Sequence, residues 1–145
     1  MNGQADADRS TCPECGAPRV DGLTCWEQLG MLIAWEADDP VLLAEHFLTV
    51  ATYNLQHPAQ FTDEAIAGLR AAFVDRLDRG VSVQEIRARI GRASAGSRRV
   101  LRRKDGQRPV LKTWSRTIAE VYLPGRPQGA AARVRDWAAA VRREM

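Results

Sequence analysis

Apolar positions recur at helical spacing along most of the chain, and helix punctuation bounds each run. "LTCWEQLGMLIAWEADD" opens with Thr24 as N-cap and Glu27 three residues on, a capping box, with Trp26, Leu29, Leu32 and Ile33 on one apolar face. "DDPVLLAEHFLTVATYNLQHP" places Asp39 as cap and Pro40 at the first helical position, and carries Ala44, Phe47, Leu48, Ala51 and Leu55 as a stripe. Pro58 disfavours helical geometry at His57, so this second helix is expected to end near Gln56. The link between the two is about two residues long, which predicts an antiparallel helical hairpin.

The pattern continues in "FTDEAIAGLRAAFVDRLDRG", capped by Thr62, stopped by Gly80, and apolar at Ile66, Leu69, Phe73 and Leu77. "VSVQEIRARIG" has a second capping box, Ser82 with Glu85, and a core face of Val83, Ile86 and Ile90. Periodicity then fades through Gly96 and Gly106, where Ser97 to Arg103 is a candidate helix and "PVLKTW" a candidate extended piece. "TIAEVYLP" reads as a short helix with a third capping box, Thr117 and Glu120, ended by Pro124. A last helix is expected from about Gln128 to the end, with Ala130, Val134, Trp137 and Val141 on one face. The candidate extended piece has no partner strand. The expected fold class is therefore all-α: a small bundle of about five or six helices, with an N-terminal zinc-knuckle-like CxxC turn. Residues 1–10 are expected to be a disordered tail and 11–145 a single zinc-stabilised helical domain.

The zinc expectation comes from three cysteines set against the hairpin. "CPECGAP" holds Cys12 and Cys15 two residues apart around a Pro and Gly turn that can aim both sulfurs at one point. A redox pair of this spacing wants a βαβ setting, which the pattern lacks. Cys25 lies in the first turn of helix 1, about fourteen residues before the link, and the residues returning alongside it run from Tyr53 to His57. Cys12, Cys15, Cys25 and His57 then form a Cys₃His set, a structural zinc combination for one ion. His46 lies eleven residues before His57, about 16 Å away on a continuous helix, and is excluded from that set. Four protein ligands leave no open coordination position, so a non-enzymatic role leads. If Cys25 or His57 does not bind, a position opens, and a metal-dependent enzyme or a thiol/zinc redox sensor is the alternative.

Charge adds a second candidate surface. The net charge is only +3, yet residues 1–86 carry five Arg against fourteen acids, while residues 87–116 carry eleven Arg and Lys against the single Asp105. This segregation points to a polyanionic partner, DNA or RNA, with Arg98, Arg99, Arg102, Arg103, Lys104, Arg108 and Lys112 as contact candidates. A protein partner, or a solvated basic face that pairs with the acidic first half, is the competing reading, since aromatic residues for base stacking are not interleaved. The helix-turn-helix rhythm of "GVSVQEIRARIGRASAGSRRVLRR" is loose, because Arg87 falls where a small residue normally packs. No apolar run nears the roughly 20 residues of a membrane helix, and the polar start "MNGQADADRS" does not read as a signal peptide. A cytoplasmic protein is expected, where thiols stay reduced. Phosphate-loop, dinucleotide, nucleophile-elbow and HExxH patterns do not occur.

The segments "CPECGAP", "DGLTCWEQLG", "HFLTVATYNLQHP", "TIAEVYLP" and "RVRDWAAAVRREM" together resemble an uncharacterised family of small bacterial proteins known only as a domain of unknown function. The resemblance runs from about Cys12 to Arg143 and is most distinctive at CPxCG and LQHP. It implies a bacterial cytoplasmic protein and supplies no activity, substrate or partner.

Overall fold

The computed structural model describes residues 10–93, 100–101 and 111–145. Among these residues there are six α-helices: α1 (Cys25–Trp35), α2 (Pro40–Ala44), α3 (His46–Leu55), α4 (Asp63–Arg79), α5 (Val83–Ala93) and α6 (Ala130–Glu144). Single 3₁₀ turns lie at Glu36–Asp38, Pro58–Gln60 and Ile118–Glu120, and β-pairing among the described residues is limited to isolated bridges. The all-α class is as the periodicity requires. No helix among the described residues is long and apolar enough to cross a membrane.

The chain divides into two compact units, Met1–Gln56 with Lys112–Met145, and His57–Leu111. In the first, the expected hairpin is present. Its open end joins Cys25 of α1 to Tyr53 of α3, Sγ to Oη 3.4 Å. Its closed end joins Glu36 to His46, whose Nδ1 lies 2.7 Å and 2.9 Å from the two carboxylate oxygens. Contacts at both ends between residues 28 and 10 apart in sequence fix the antiparallel register.

The starts follow the caps. Thr24 and Glu27 exchange reciprocal bonds at α1, and Asp39 Oδ1 accepts from the Leu42 amide at 3.0 Å to start α2. The second predicted helix is two, because Glu45 leaves helical geometry (φ −98°, ψ 12°) between α2 and α3. Glu45 instead accepts from Arg135 of α6 at 3.2 Å. α6 lies on the hairpin through Trp137, which is 1% exposed and donates from Nε1 to Gln56 Oε1 at 3.2 Å. Gln56 Nε2 donates in turn to the Arg116 carbonyl at 2.7 Å, so this buried amide is satisfied at both ends. Leu32, Leu42, Leu48, Ile118, Val121, Val134 and Val141 fill the rest of the interior. Trp35 stacks obliquely on Tyr122 with centroids 5.2 Å apart.

In the second unit Thr62 caps α4 by accepting from the Ala65 amide at 3.2 Å, and Gly80 ends it in the left-handed region at φ 65°. Ser82 Oγ accepts from the Glu85 amide at 3.1 Å to start α5. Arg89 of α5 bonds Asp75 of α4 at 2.6 Å, and Phe73 and Ile86 are buried.

Three pattern-based expectations are corrected. Trp26 is 67% exposed and Ile90 48% exposed, and Ala44 is also exposed rather than inside. Trp26 and Ile90 lie at the margin of their apolar stripes, where a few tens of degrees of helix rotation decide burial, whereas the break at Glu45 puts Ala44 on a different helix from the rest of its stripe. The segment at Thr117 forms its capping box but completes only one 3₁₀ turn before Pro124. Residues 111–114 are irregular. The candidate helix at Ser97 to Arg103 falls largely outside the described residues.

Candidate metal centre

The knuckle is built by backbone hydrogen bonds that the sequence "CPECGAP" makes available. The Gly16 amide donates to the Cys12 carbonyl and the Cys12 amide to the Ala17 carbonyl, both at 2.9 Å. Gly16 sits at φ 81°, a conformation that a side chain would strain, which is why a glycine follows the second cysteine. The Ala17 amide points back at Cys15 Sγ, 3.4 Å away. The chain then turns through Asp21 and Gly22, both at positive φ, with Val20 and Leu23 exchanging amide bonds at 2.9 Å and 3.2 Å. This Asp-Gly turn returns the chain to the α1 cap at Thr24 and so brings the knuckle against Cys25.

Gln28 fixes that return. Its side chain is fully buried, and Nε2 donates to the carbonyls of Pro18 and Leu23, 3.0 Å each. One amide on α1 therefore holds both ends of the segment that follows the knuckle. The spacing of cysteines gives no sign of this residue. Its only mark in the sequence is a polar group among apolar neighbours one turn after Cys25.

His57 arrives by a different route. α3 ends at Leu55, and His57 stands outside helical geometry (φ −129°, ψ 58°) ahead of Pro58, as an X-Pro step favours. The ligand atoms of Cys12, Cys15, Cys25 and His57 all lie within 4.8 Å of one another. Cys15, Cys25 and His57 are buried and Cys12 is partly exposed. None of the three cysteines forms a disulfide. His46 is absent from the cluster and is bonded to Glu36, as the distance along α3 requires.

The donor set fits one thiophilic ion. Tetrahedral bonds of roughly 2.3 Å to sulfur place neighbouring sulfurs about 3.8 Å apart, so donors already within 4.8 Å need only small inward shifts. The electrostatics agree. The hydrogen bond shared with Cys25, together with burial, pushes the Cys15 thiol well above its ordinary range, while the Ala17 amide acts the other way. Three crowded sulfurs cannot all ionise beside each other unless a cation sits among them, and a divalent ion reverses that balance. Burial and the bond to Cys25 likewise hold Tyr53 as a neutral phenol. A neutral phenol is a donor, and Cys25 Sγ is the sulfur it meets, an outer-shell contact of the kind that orients metal ligands. The hairpin register had already placed Tyr53 opposite Cys25.

A family model, a family of unknown function (DUF5946), matches residues 10–145. The chain belongs to that family. The match covers the knuckle, both arms of the hairpin and α6. No curated protein matches the chain, and no solved structure matches it.

Of the basic candidates, Arg98, Arg99, Arg102, Arg103, Lys104 and Arg108 lie outside the described residues. Lys112 is exposed. Its ammonium stands 5.3 Å from the centroid of the Trp114 ring and donates to the Glu144 carbonyl.

Proposed function

We propose that this chain is a zinc-binding protein in which one zinc, held by Cys12, Cys15, Cys25 and His57, is structural, and in which residues 87–116 form a basic contact surface for a nucleic acid. The observation that carries the first half is the convergence of four ligand atoms within 4.8 Å from three separate parts of the sequence. Three sulfurs and one imidazole favour zinc over harder cations. A full set of four protein ligands leaves no position for water or substrate, which disfavours a catalytic metal. Thiolate ligands also suit the reducing interior of a bacterial cell.

The second half rests on the charge segregation of the sequence, eleven cationic residues against one acid over 87–116. A strand of phosphates is the partner such a stretch would bind without any base-reading motif.

Metal analysis of the full chain purified without chelator tests the site. One zinc per chain, with loss of the cooperative thermal transition on chelation, is the expected result. A metal-free, stably folded protein refutes it. Duplex DNA and RNA titrated at several salt concentrations test the surface. Binding should weaken steeply as salt rises, and no binding at low salt removes the nucleic-acid reading.

A further inference from the structure

The four ligands are not equally protected, and the difference has a chemical consequence. Cys15 is 3% exposed, Cys25 8% and His57 7%, whereas Cys12 is partly exposed. Cys25 lies against the Tyr53 hydroxyl, and the Tyr53 ring has Trp26 beside it at 6.0 Å between centroids. Cys15 receives the Ala17 amide inside the knuckle. Accessible thiolates react with electrophiles faster than buried ones. The least buried of the three cysteines also has a second thiol at hand, since Cys15 is held in the same turn with its sulfur within 4.8 Å.

We infer that Cys12 is an oxidation site, where a peroxide oxidises the zinc-loaded cluster and drives a Cys12–Cys15 disulfide that releases the metal. The inference rests on the proposed zinc site. The Cys12 thiolate attacks one peroxide oxygen, the O–O bond breaks, an S–O bond forms and hydroxide leaves. Cys12 is oxidised by two electrons and the peroxide is reduced. The Cys15 thiolate then attacks Cys12 Sγ, forms the S–S bond and expels a second hydroxide. Two protons from solvent convert the two hydroxides to water. Cys25 and His57 remain, and two ligands do not hold a structural zinc.

Release has a defined structural reach. With the ion in place, the knuckle is joined to the start of α1 and to the chain just after α3. Without it, the hydrogen bonds from Gln28 are what keep the following segment on α1. Oxidation at Cys12 therefore removes the metal link that joins the knuckle to the start of α1 and to the chain after α3. A thiol reductant and zinc should restore it.

The test treats the zinc-loaded full chain with hydrogen peroxide, follows zinc with a chromophoric chelator and maps the cysteines by mass spectrometry. In parallel, sub-stoichiometric iodoacetamide reports which cysteine reacts first. The expected result is release of one zinc per Cys12–Cys15 disulfide, reversed by dithiothreitol, with Cys12 alkylated at least about tenfold faster than Cys15 or Cys25. A protein that holds one zinc and retains it under peroxide, or whose first modified residue is Cys15 or Cys25, overturns the oxidation site and leaves the zinc site standing. A protein that binds no metal overturns both.

Discussion

Replacing Gln28 by methionine isolates what holds the knuckle against α1. Methionine is unbranched and close in volume, so packing changes little. What disappears is the Nε2 donor that serves Pro18 and Leu23 at 3.0 Å each. Each such bond contributes about 1 kcal/mol net, and a buried carbonyl left bare costs about 1–3 kcal/mol. One offset works the other way. Gln28 Oε1 has no partner among the described residues, and its removal returns part of its burial cost. The balance is a destabilisation of about 2 kcal/mol. For a chain of this length that lowers the melting temperature by about 6–8 °C. If the whole effect falls on knuckle docking, zinc affinity drops by up to about thirtyfold. Thermal unfolding of the zinc-loaded variant by circular dichroism, paired with a chelator competition, reads both quantities. Unchanged melting and affinity would refute the clamp. A lower melting temperature with unchanged affinity would show that Gln28 supports helix packing and not the knuckle.

Three further outcomes are expected. His57→Ala should lose most of the bound zinc, whereas His46→Ala should keep it and lose about 1–3 kcal/mol of stability, because Glu36 is left buried without its partner; metal stoichiometry alongside urea unfolding separates the two. Tyr53→Phe should preserve the fold and weaken zinc binding by about tenfold through loss of the donor to Cys25, and an affinity equal to that of the parent chain would remove the outer-shell role. The Glu144 carboxyl is held below its ordinary range by the hydroxyl and amide of Ser115. Its folded value lies below its unfolded one, so this C-terminal clasp contributes above the usual carboxylate range and is lost as pH falls below about 4. Glu144→Gln should therefore narrow the stability difference between neutral and acid solution, and a difference as wide as in the parent chain would argue against the clasp.

Much of the helical layout was legible because the relevant signals are local. Thr24 with Glu27, Asp39 with Pro40, and Thr62 with Gly80 act within one helical turn of themselves, so their residue types alone place α1, α2 and α4. The candidate metal centre was legible for a less common reason. The short link expected between the helices, a 3₁₀ turn at Glu36–Asp38 and the cap Asp39 in the structure, keeps the hairpin antiparallel, and counting equal distances from it pairs Cys25 with the stretch ending at His57. The same count separates His46 from that end by the rise of the helix.

Other features were decided by the tertiary structure. The break at Glu45 has no proline or glycine to announce it, and that residue is held by Arg135, 90 positions away in sequence. The exposure of Trp26 and Ile90 depends on how far each helix is rotated against its neighbours, which a stripe of apolar residues fixes only to within its own width. The burial of Gln28 and Gln56 depends on partners that are carbonyl groups or a distant indole, and no residue identity advertises a carbonyl. The sequence by itself determined the helix starts and stops and the four residues of the candidate metal cluster, because these follow from chemistry repeated within a turn or counted along one helical hairpin. The tertiary structure alone decided which residue of that cluster remains partly exposed and which buried amides hold the knuckle, because burial and long-range hydrogen bonds exist only once the helices have packed.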